Sequence, residues 1–308
     1  MLDPDLGAFI ASLEALPEAG SLDEERRQWR QFCIRHNRPP PAGLAVQDEV
    51  LPLADREISL RWYRPAPAAG AQACVIYLHG GGWVLGDLDT QDTIAWGLAD
   101  AVGAAVVSVA YRLAPEHPYP AAFDDSLAVL EHVAATAAAY GVDPARIALC
   151  GDSAGGNLSA AVCLAARDRG GPAIAAQALL YPVMDTDTST PSYLENADAP
   201  MLSRSEMEFY LDAYLAGRRY DPEPYAMPSR ATDLAHLPPA WIHTAGHDPL
   251  RDEGRTYYER LLEAGNPAEY RCAETMPHSF ARARFECEAA AREFGALCDF
   301  LRRKLATA

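Results

Sequence analysis

The pentapeptide Gly151-Asp152-Ser153-Ala154-Gly155 constrains the fold of this chain more than any other stretch. It follows the short apolar run 147–150, which predicts a buried strand, and it precedes an Ala- and Leu-rich segment, which predicts a helix. A serine between a strand and a helix in the pattern G-x-S-x-G is typical of a nucleophile elbow. The turn must be sharp, and side chains at the two glycine positions would collide with the strand and the helix. We therefore predict that the Ser153 hydroxyl lies at the top edge of a sheet.

A second glycine-rich segment, His79-Gly80-Gly81-Gly82-Trp83, follows another short apolar run at 73–78. Successive glycines leave the backbone free to turn its N–H groups outward and allow an acyl group to approach closely. A loop of this HGGG type supplies half of the oxyanion hole in lipases and esterases. We predict that Gly81 and Gly82 donate hydrogen bonds to a developing oxyanion. The N–H of Ala154, at the start of the helix after the serine, is predicted to donate a third.

These motifs make the chain resemble the hormone-sensitive-lipase branch of the α/β-hydrolases, the bacterial family IV carboxylesterases. The matching stretches occur in the family's order between about residues 50 and 285, and their combination is specific. They are HGGGW at 79–83, YRLAPEHP at 111–118, GDSAGGN at 151–157 and DPLRD at 248–252. The resemblance implies an α/β-hydrolase fold, with a mainly parallel, doubly wound sheet of about eight strands and a helical cap.

The alternation of strand-like and helix-like segments independently predicts a mainly parallel sheet covered by helices. At 308 residues with 49% apolar content, the chain suffices for a single α/β domain over 1–308. Two helix-like stretches, 1–45 and 185–235, break this alternation. By the resemblance they form the cap, and 46–184 with 236–308 form the catalytic core. A plain packing arm is the alternative reading of the first stretch.

The predicted nucleophile needs a base within hydrogen-bond reach, and histidine suits neutral pH. In this fold the triad follows the order serine, acid, histidine along the chain. His278 is the predicted base, because it alone follows a strand beyond the acid candidates. Asp248, just after the strand 240–244, is the predicted acid, whereas we expect Asp252 to cap the next helix. One residue departs from the family pattern: Ser279 stands where glycine is usual.

Three other residue groups near these motifs receive structural interpretations. We expect Arg112 and Glu116 to form an ion pair that braces the proline-rich loop 111–120. We expect His79 to support the glycine loop, and Asp152 to be solvated or locally hydrogen-bonded.

The expected reaction is hydrolysis of small neutral esters with short-to-medium acyl chains through an acyl-enzyme. Amide or formamide hydrolysis stays open, because the same triad serves both reactions. A non-catalytic small-molecule receptor on the same fold also stays open, although such a receptor does not need an intact triad. We expect no cofactor and no metal, because the sequence contains no metal-ligand spacing such as H-E-x-x-H.

Charge and composition exclude several classes of partner. The net charge is −17 and there is no extended Lys/Arg run, so we expect no nucleic-acid partner and no attraction to an anionic membrane. The sequence has neither a basic N-terminal region before an apolar stretch nor a window near ~18 apolar residues, so we expect no signal peptide and no membrane span. Seven cysteines without a C-x-x-C pair predict reduced thiols in a cytoplasmic protein. The family resemblance admits a homodimer through the last strand and helix.

Overall fold

The apolar runs of the sequence form one sheet of eight strands. The computed structural model describes residues 1–66, 70–219 and 222–306, and all elements named below lie within them. The strands are β1 (Ala45–Pro52), β2 (Glu57–Arg64), β3 (Gln72–Leu78), β4 (Ala105–Ala110), β5 (Val142–Asp152), β6 (Ala176–Leu180), β7 (Ala240–His247) and β8 (Ala268–Pro277). Their order is β1-β2-β4-β3-β5-β6-β7-β8. The β1–β2 and β2–β4 pairs are antiparallel and the other pairs are parallel, which confirms the predicted sheet.

Helices cover both faces of this sheet. They are α1 (Gly7–Glu14), α2 (Leu22–His36), α3 (Asp92–Val102), α4 (Ala121–Ala135), α5 (Ala137–Tyr140), α6 (Ala154–Asp168), α7 (Pro191–Glu195), α8 (Arg204–Leu215), α9 (Arg251–Glu263) and α10 (Glu288–Leu305). Helices α1, α2, α3 and α10 contribute to one buried apolar cluster, and α4, α6, α8 and α9 contribute to the other. In β3 the alternation is clear: Val75 and Tyr77 belong to the first cluster, and Cys74 and Ile76 to the second. The doubly wound architecture is therefore confirmed.

The predicted site residues all follow parallel strands at their carboxyl ends. The glycine loop begins at His79 after β3, Ser153 follows β5, Asp248 follows β7 and His278 follows β8. Because parallel strands end at the same edge of a sheet, these four positions come together although they are far apart in sequence.

The predicted ion pair between Arg112 and Glu116 is wrong. Arg112 instead binds Asp125 of α4, with Nε 2.9 Å from Oδ2 and Nη2 2.9 Å from Oδ1. Glu116 accepts from Arg26 of α2 at 2.8 Å. The proline-rich loop is thus tied to two helices, and each of its charged residues has a partner outside the loop.

Both stretches predicted to form the cap contain helices. The first contains α1 and α2, and the second contains α7 and α8, with residues 220–221 outside the described part. The two stretches meet where the Tyr210 hydroxyl of α8 donates to Glu25 Oε1 of α2 at 3.2 Å. In the described residues, no helix combines the length and the apolar character that a membrane crossing requires.

Candidate active site

Ser153 occupies a strained turn between β5 and α6. Its φ is 56° and its ψ is −121°, a conformation that residues with a side chain rarely adopt. A Cβ at Gly151 would overlap the backbone of Gly155, and a Cβ at Gly155 would overlap the carbonyl of Leu78. The backbone approaches so closely at these two positions that only glycine fits. The two glycines thus permit the sharp turn that leaves the serine at the edge of the sheet.

The structure brings Ser153, His278 and Asp248 into one chain of hydrogen bonds. Nε2 of His278 lies 3.0 Å from Oγ of Ser153, and Nδ1 lies 2.7 Å from Oδ2 of Asp248. The three residues are 6%, 4% and 0% exposed. An imidazole whose Nδ1–H donates to the carboxylate keeps the Nε2 lone pair free to accept the serine proton. This arrangement can deprotonate the hydroxyl as it attacks a carbonyl carbon.

The alternative acid, Asp252, lies outside this chain of bonds. Its Oδ2 accepts from the backbone N–H of Ser192 at 2.8 Å, and its Oδ1 lies 3.0 Å from Nε of Arg251. Helix α9 has no side-chain cap, so the predicted helix cap at Asp252 is wrong. Asp248 instead holds the start of this segment, because its Oδ1 accepts from Leu250 N–H at 2.9 Å.

The predicted oxyanion donors lie around the serine. Gly81 and Gly82 line the same cavity as Ser153 and His278, and both have positive φ, 121° and 58°. Ala154 is the first residue of α6, where the helix dipole favours negative charge. Among the described residues, no acceptor takes the N–H groups of these three, so they are available to a ligand.

Asp152 ties the glycine loop to the elbow. Its buried carboxylate accepts from Gly80 N–H at 2.9 Å and from the Tyr77 hydroxyl at 2.6 Å, both at Oδ1. Of the two environments expected for Asp152, local hydrogen bonding is observed and solvation is not. Tyr77 could not be predicted from the sequence, because an apolar run indicates a strand and not the hydrogen bond that one hydroxyl within it forms.

His79 supports the same loop from beneath, as expected. Its Nδ1 lies 2.8 Å from the carbonyl oxygen of Gly80, and its ring stacks on Tyr111 with 4.1 Å between centroids. The Tyr111 hydroxyl in turn donates to the His79 carbonyl at 2.6 Å. Burial lowers the pKa of His79, which favours a neutral ring.

The loop that carries His278 is also held firmly. Ser279 has a φ of 60°, in the left-handed region where glycine is the usual residue. Arg282 is buried and donates from Nη1 to the Thr90 carbonyl at 2.5 Å and from Nη2 to Gln91 Oε1 at 2.9 Å. This arginine was missed by sequence reasoning, since no motif includes it.

A cavity of about 550 Å³ opens above Ser153 and His278. Its walls come mainly from the stretches 1–45 and 185–235 and carry many apolar side chains. They include Leu13, Trp29, Met201, Leu202, Phe209 and Tyr210. This volume and lining are typical of a site for a small organic molecule.

Among the described residues, one group of side chains that could bind a metal ion lies away from this cavity. This group, Asp3, Asp5 and Cys287, could bring three ligand atoms together, and none of these residues lines the cavity.

The sheet topology and the serine–histidine pair at its carboxyl edge are those of an α/β hydrolase. A family model described as the alpha/beta hydrolase fold matches residues 75–282. The chain is 46% identical over 252 residues to carboxylesterase NlhH of Mycobacterium tuberculosis, covering 81% of this chain and 79% of that protein. It is 42% identical over 287 residues to esterase LipI of the same species, covering 91% and 88%.

Solved structures agree with this relationship. The structure of a bacterial heroin esterase matches with a TM-score of 0.91 at 33% identity, covering 99% of this chain and 98% of that one. The chain therefore belongs to the α/β-hydrolase fold family, in the hormone-sensitive-lipase-like branch that its motifs indicated.

Proposed function

We propose that this protein is a serine carboxylesterase that hydrolyses esters with short-to-medium acyl chains through an acyl-enzyme. The observation that carries the proposal is the hydrogen-bond chain from Ser153 through His278 to Asp248 at the floor of an apolar cavity. The names of the relatives, carboxylesterase and esterase, support an ester as the substrate. In this proposal Ser153 is the nucleophile, His278 is the general base and acid, and Asp248 orients the imidazole.

Acylation begins when Ser153 Oγ attacks the ester carbonyl carbon and His278 Nε2 takes the hydroxyl proton. The carbonyl electron pair moves to oxygen, and the N–H groups of Gly81, Gly82 and Ala154 stabilise that charge. Removing one such donor typically lowers the rate by ~10²–10³. The intermediate collapses as the bond to the alcohol oxygen breaks and His278 returns the proton to that oxygen. The alcohol leaves, and the acyl group stays on the serine.

Deacylation repeats these steps with water. His278 takes a proton from water as the water oxygen attacks the acyl carbon. It then returns a proton to Ser153 Oγ when the bond between Oγ and the acyl carbon breaks. Asp248 stabilises the imidazolium in both halves of the reaction. The carboxylic acid is released, and the hydroxyl of Ser153 is regenerated.

We further propose that 1–45 and 185–235 act as the cap that limits the acyl chain. These two segments supply most of the residues that line the cavity, which supports this division. The volume of about 550 Å³ is at the lower to middle part of the range for small-molecule sites and favours short-to-medium chains.

Hydrolysis of nitrophenyl butanoate by the wild type, Ser153→Ala and His278→Ala tests the proposed roles. We expect activity in the wild type and a loss of ~10³-fold or more in each variant, with unchanged circular dichroism. Undiminished activity in either variant would reject the assignment. A fluorophosphonate probe should label Ser153 in the wild type, whereas a receptor without a competent serine would stay unlabelled. A matched anilide distinguishes an amidase, which would turn it over as fast as the ester.

We also propose a cytoplasmic location and a homodimer. All seven cysteines are free, and six of them are buried, which supports a reducing compartment. Strand β8 ends the sheet order and α10 follows it, so the edge that could pair with a second copy is available. The net charge of −17 supports the absence of a nucleic-acid partner. Light scattering should give the mass of two chains, and cell fractionation checks the compartment.

A further inference from the structure

The cavity above Ser153 carries acidic side chains and no lysine or arginine. Glu25 of α2 and Glu206 of α8 both line it, within the part of the chain that the structure describes. Apart from His278 of the catalytic chain of hydrogen bonds, the other lining residues carry no charge at neutral pH, so Glu25 and Glu206 are the carboxylates that a charged group on a bound molecule would meet. This charge pattern bears on which esters the cavity accepts.

Within the described residues, the carboxylate of Glu25 is held by a hydroxyl and not by a basic side chain. Its carboxylate accepts from the Tyr210 hydroxyl at 3.2 Å, and no basic side chain of the described residues lies within ion-pair distance. The neighbouring Arg26 is directed elsewhere, because both its terminal nitrogens bind Glu116 at 2.8 Å and its Nε donates to the Val84 carbonyl at 2.9 Å. A cation from a ligand would therefore be the first ion-pair partner that Glu25 meets.

Burial is the largest cause that raises the pKa of the Glu25 carboxyl, and repulsion by Glu206 adds to it. Both causes disfavour the negative charge, whereas the hydrogen bond from Tyr210 and the charge of Arg26 favour it. A positive charge bound beside Glu25 would offset both effects. A cation should therefore bind more tightly beside this carboxylate than beside one that is exposed to solvent.

Aromatic rings line the same cavity. Trp29, Phe209 and Tyr210 belong to its wall, and the last two pack edge to face with 5.6 Å between centroids. Aromatic faces attract ammonium groups, and apolar walls accommodate the alkyl groups that such ions carry. A carboxylate next to aromatic rings is the combination that recognises a substituted ammonium ion.

We propose that the preferred substrates are esters that carry a positively charged amine or quaternary ammonium group, and that Glu25 determines this preference. The inference rests on the proposed esterase function and names the substrate class within it. Glu206, which is exposed at the cavity and also caps α8 through Ser203, contributes a weaker attraction. Esters with a free carboxylate are disfavoured by the same charges.

Matched pairs of esters test the preference without changing size or shape. One pair is choline butanoate and its neutral isostere, in which a tert-butyl group replaces trimethylammonium. The other pair places the same two groups at the end of the acyl chain of an ethyl ester, so that the two pairs distinguish a cation on the alcohol from one on the acid. We expect the wild type to favour the cationic member of at least one pair by about five- to tenfold in kcat/KM.

Glu25→Gln retains an acceptor for the Tyr210 hydroxyl and removes only the charge. We expect the ratio of cationic to neutral kcat/KM to fall to about one in this variant. Glu131→Gln is the matched control, because it removes one negative charge from the exposed surface of α4 and should keep the wild-type ratio. A wild-type ratio of one or less in both pairs, or the same ratio in Glu25→Gln as in the wild type, would overturn the proposal.

Binding to Ser153→Ala separates this inference from the proposed function, because it needs no turnover. Calorimetry with choline butanoate and its isostere should show tighter binding of the cation, and this difference should disappear when Glu25→Gln is added. If the wild type hydrolysed no ester but the binding preference for the cation were present, the esterase proposal would be rejected and the role of Glu25 would stand. Equal binding of both compounds would reject the role of Glu25.

Discussion

The ring of Tyr210 lies directly against Gly82, so that a Cβ at Gly82 would come 2.5 Å from Cδ2 of the ring. This contact joins helix α8 to the loop that we propose as half of the oxyanion hole. Gly82 also has a φ of 58°, which a side chain disfavours. Gly82→Ala should therefore displace the loop or the ring and lower kcat/KM for nitrophenyl butanoate by ~10²-fold or more.

Gly103→Ala is the control for this substitution. Gly103 ends α3 with a φ of 73°, and a Cβ there would meet nothing within 4 Å. It should lower stability by about 1 kcal/mol and leave kcat/KM unchanged. Equal losses of activity in both variants would mean that backbone strain, and not the contact with Tyr210, explains the effect.

Asp248→Asn should lower kcat by about 10⁴-fold, because the amide cannot stabilise the imidazolium and favours the wrong tautomer. Asp252→Asn provides the comparison four residues away, since its carboxylate binds Ser192 and not His278. Its kcat should stay within about tenfold of the wild type. Steady-state kinetics at about pH 8 with both variants checks the assignment. A larger loss in the Asp252 variant would contradict it.

Tyr77→Phe should reduce kcat by about tenfold with little change in KM. The hydroxyl donates to Asp152 at 2.6 Å, and the same oxygen of Asp152 holds Gly80 N–H at 2.9 Å. Removing the hydroxyl leaves the buried carboxylate short of a donor, so the glycine loop shifts and the transition state loses more than the ground state. Tyr257→Phe is the control, because that buried hydroxyl has no hydrogen-bond partner among the residues described. Equal effects of the two substitutions on kcat would argue against the role of Asp152 in positioning the loop.

Features that act through local backbone shape could be predicted from the sequence, whereas pairings between distant helices could not. Gly151 marks the elbow because a Cβ there would overlap the backbone of Gly155 within the same turn, whereas the space at Gly155 is closed by Leu78 of the neighbouring strand β3. The order of strands and helices, and with it the meeting of Ser153 and His278, follows from the chain order of the fold. By contrast, Glu25 and Tyr210 are 185 residues apart, and the packing of α2 against α8 alone brings them together.

The prediction of an ion pair between Arg112 and Glu116 was wrong for the same reason. Nearness in sequence suggested that the two charges meet, but an arginine has a long side chain and reaches the nearest buried carboxylate. In this fold that carboxylate is Asp125, whose side chain is almost inaccessible. Tertiary packing determines which helix lies beneath a loop, and local sequence patterns do not predict it.

Glu253→Gln should stabilise the protein increasingly as pH rises. Burial is the main cause that raises the pKa of Glu253 well above its ordinary value. Its Oε1 accepts from Met184 N–H at 2.8 Å, and its Oε2 has no hydrogen-bond partner in the part of the chain that the structure describes. The pKa of the Glu253 carboxyl is higher in the folded protein than in the unfolded chain. The contribution of this carboxyl to the free energy of unfolding is therefore complete below about pH 4.5 and is lost as the pH rises towards the folded-state pKa. Glutamine keeps the acceptor and does not ionise.

Urea unfolding of wild type and Glu253→Gln at about pH 5 and pH 8 measures this effect. The free energy of unfolding of the variant, relative to the wild type, should rise by about 1 kcal/mol or more between the two pH values. A difference that does not change with pH would show that the carboxyl is ionised in the folded protein throughout this range.

Ser279→Gly should raise the free energy of unfolding by about 0.5–1 kcal/mol. Ser279 follows His278 with a φ of 60° and a ψ of 18°, a left-handed conformation that is unfavourable for a residue with a Cβ and neutral for glycine. Part of the gain is offset by the greater freedom of glycine in the unfolded chain. Ser279→Ala is the control, since alanine keeps the strain and should leave stability within about 0.5 kcal/mol of the wild type. Urea unfolding at neutral pH distinguishes the outcomes: a glycine variant less stable than the alanine variant would mean that the backbone at this position is not strained.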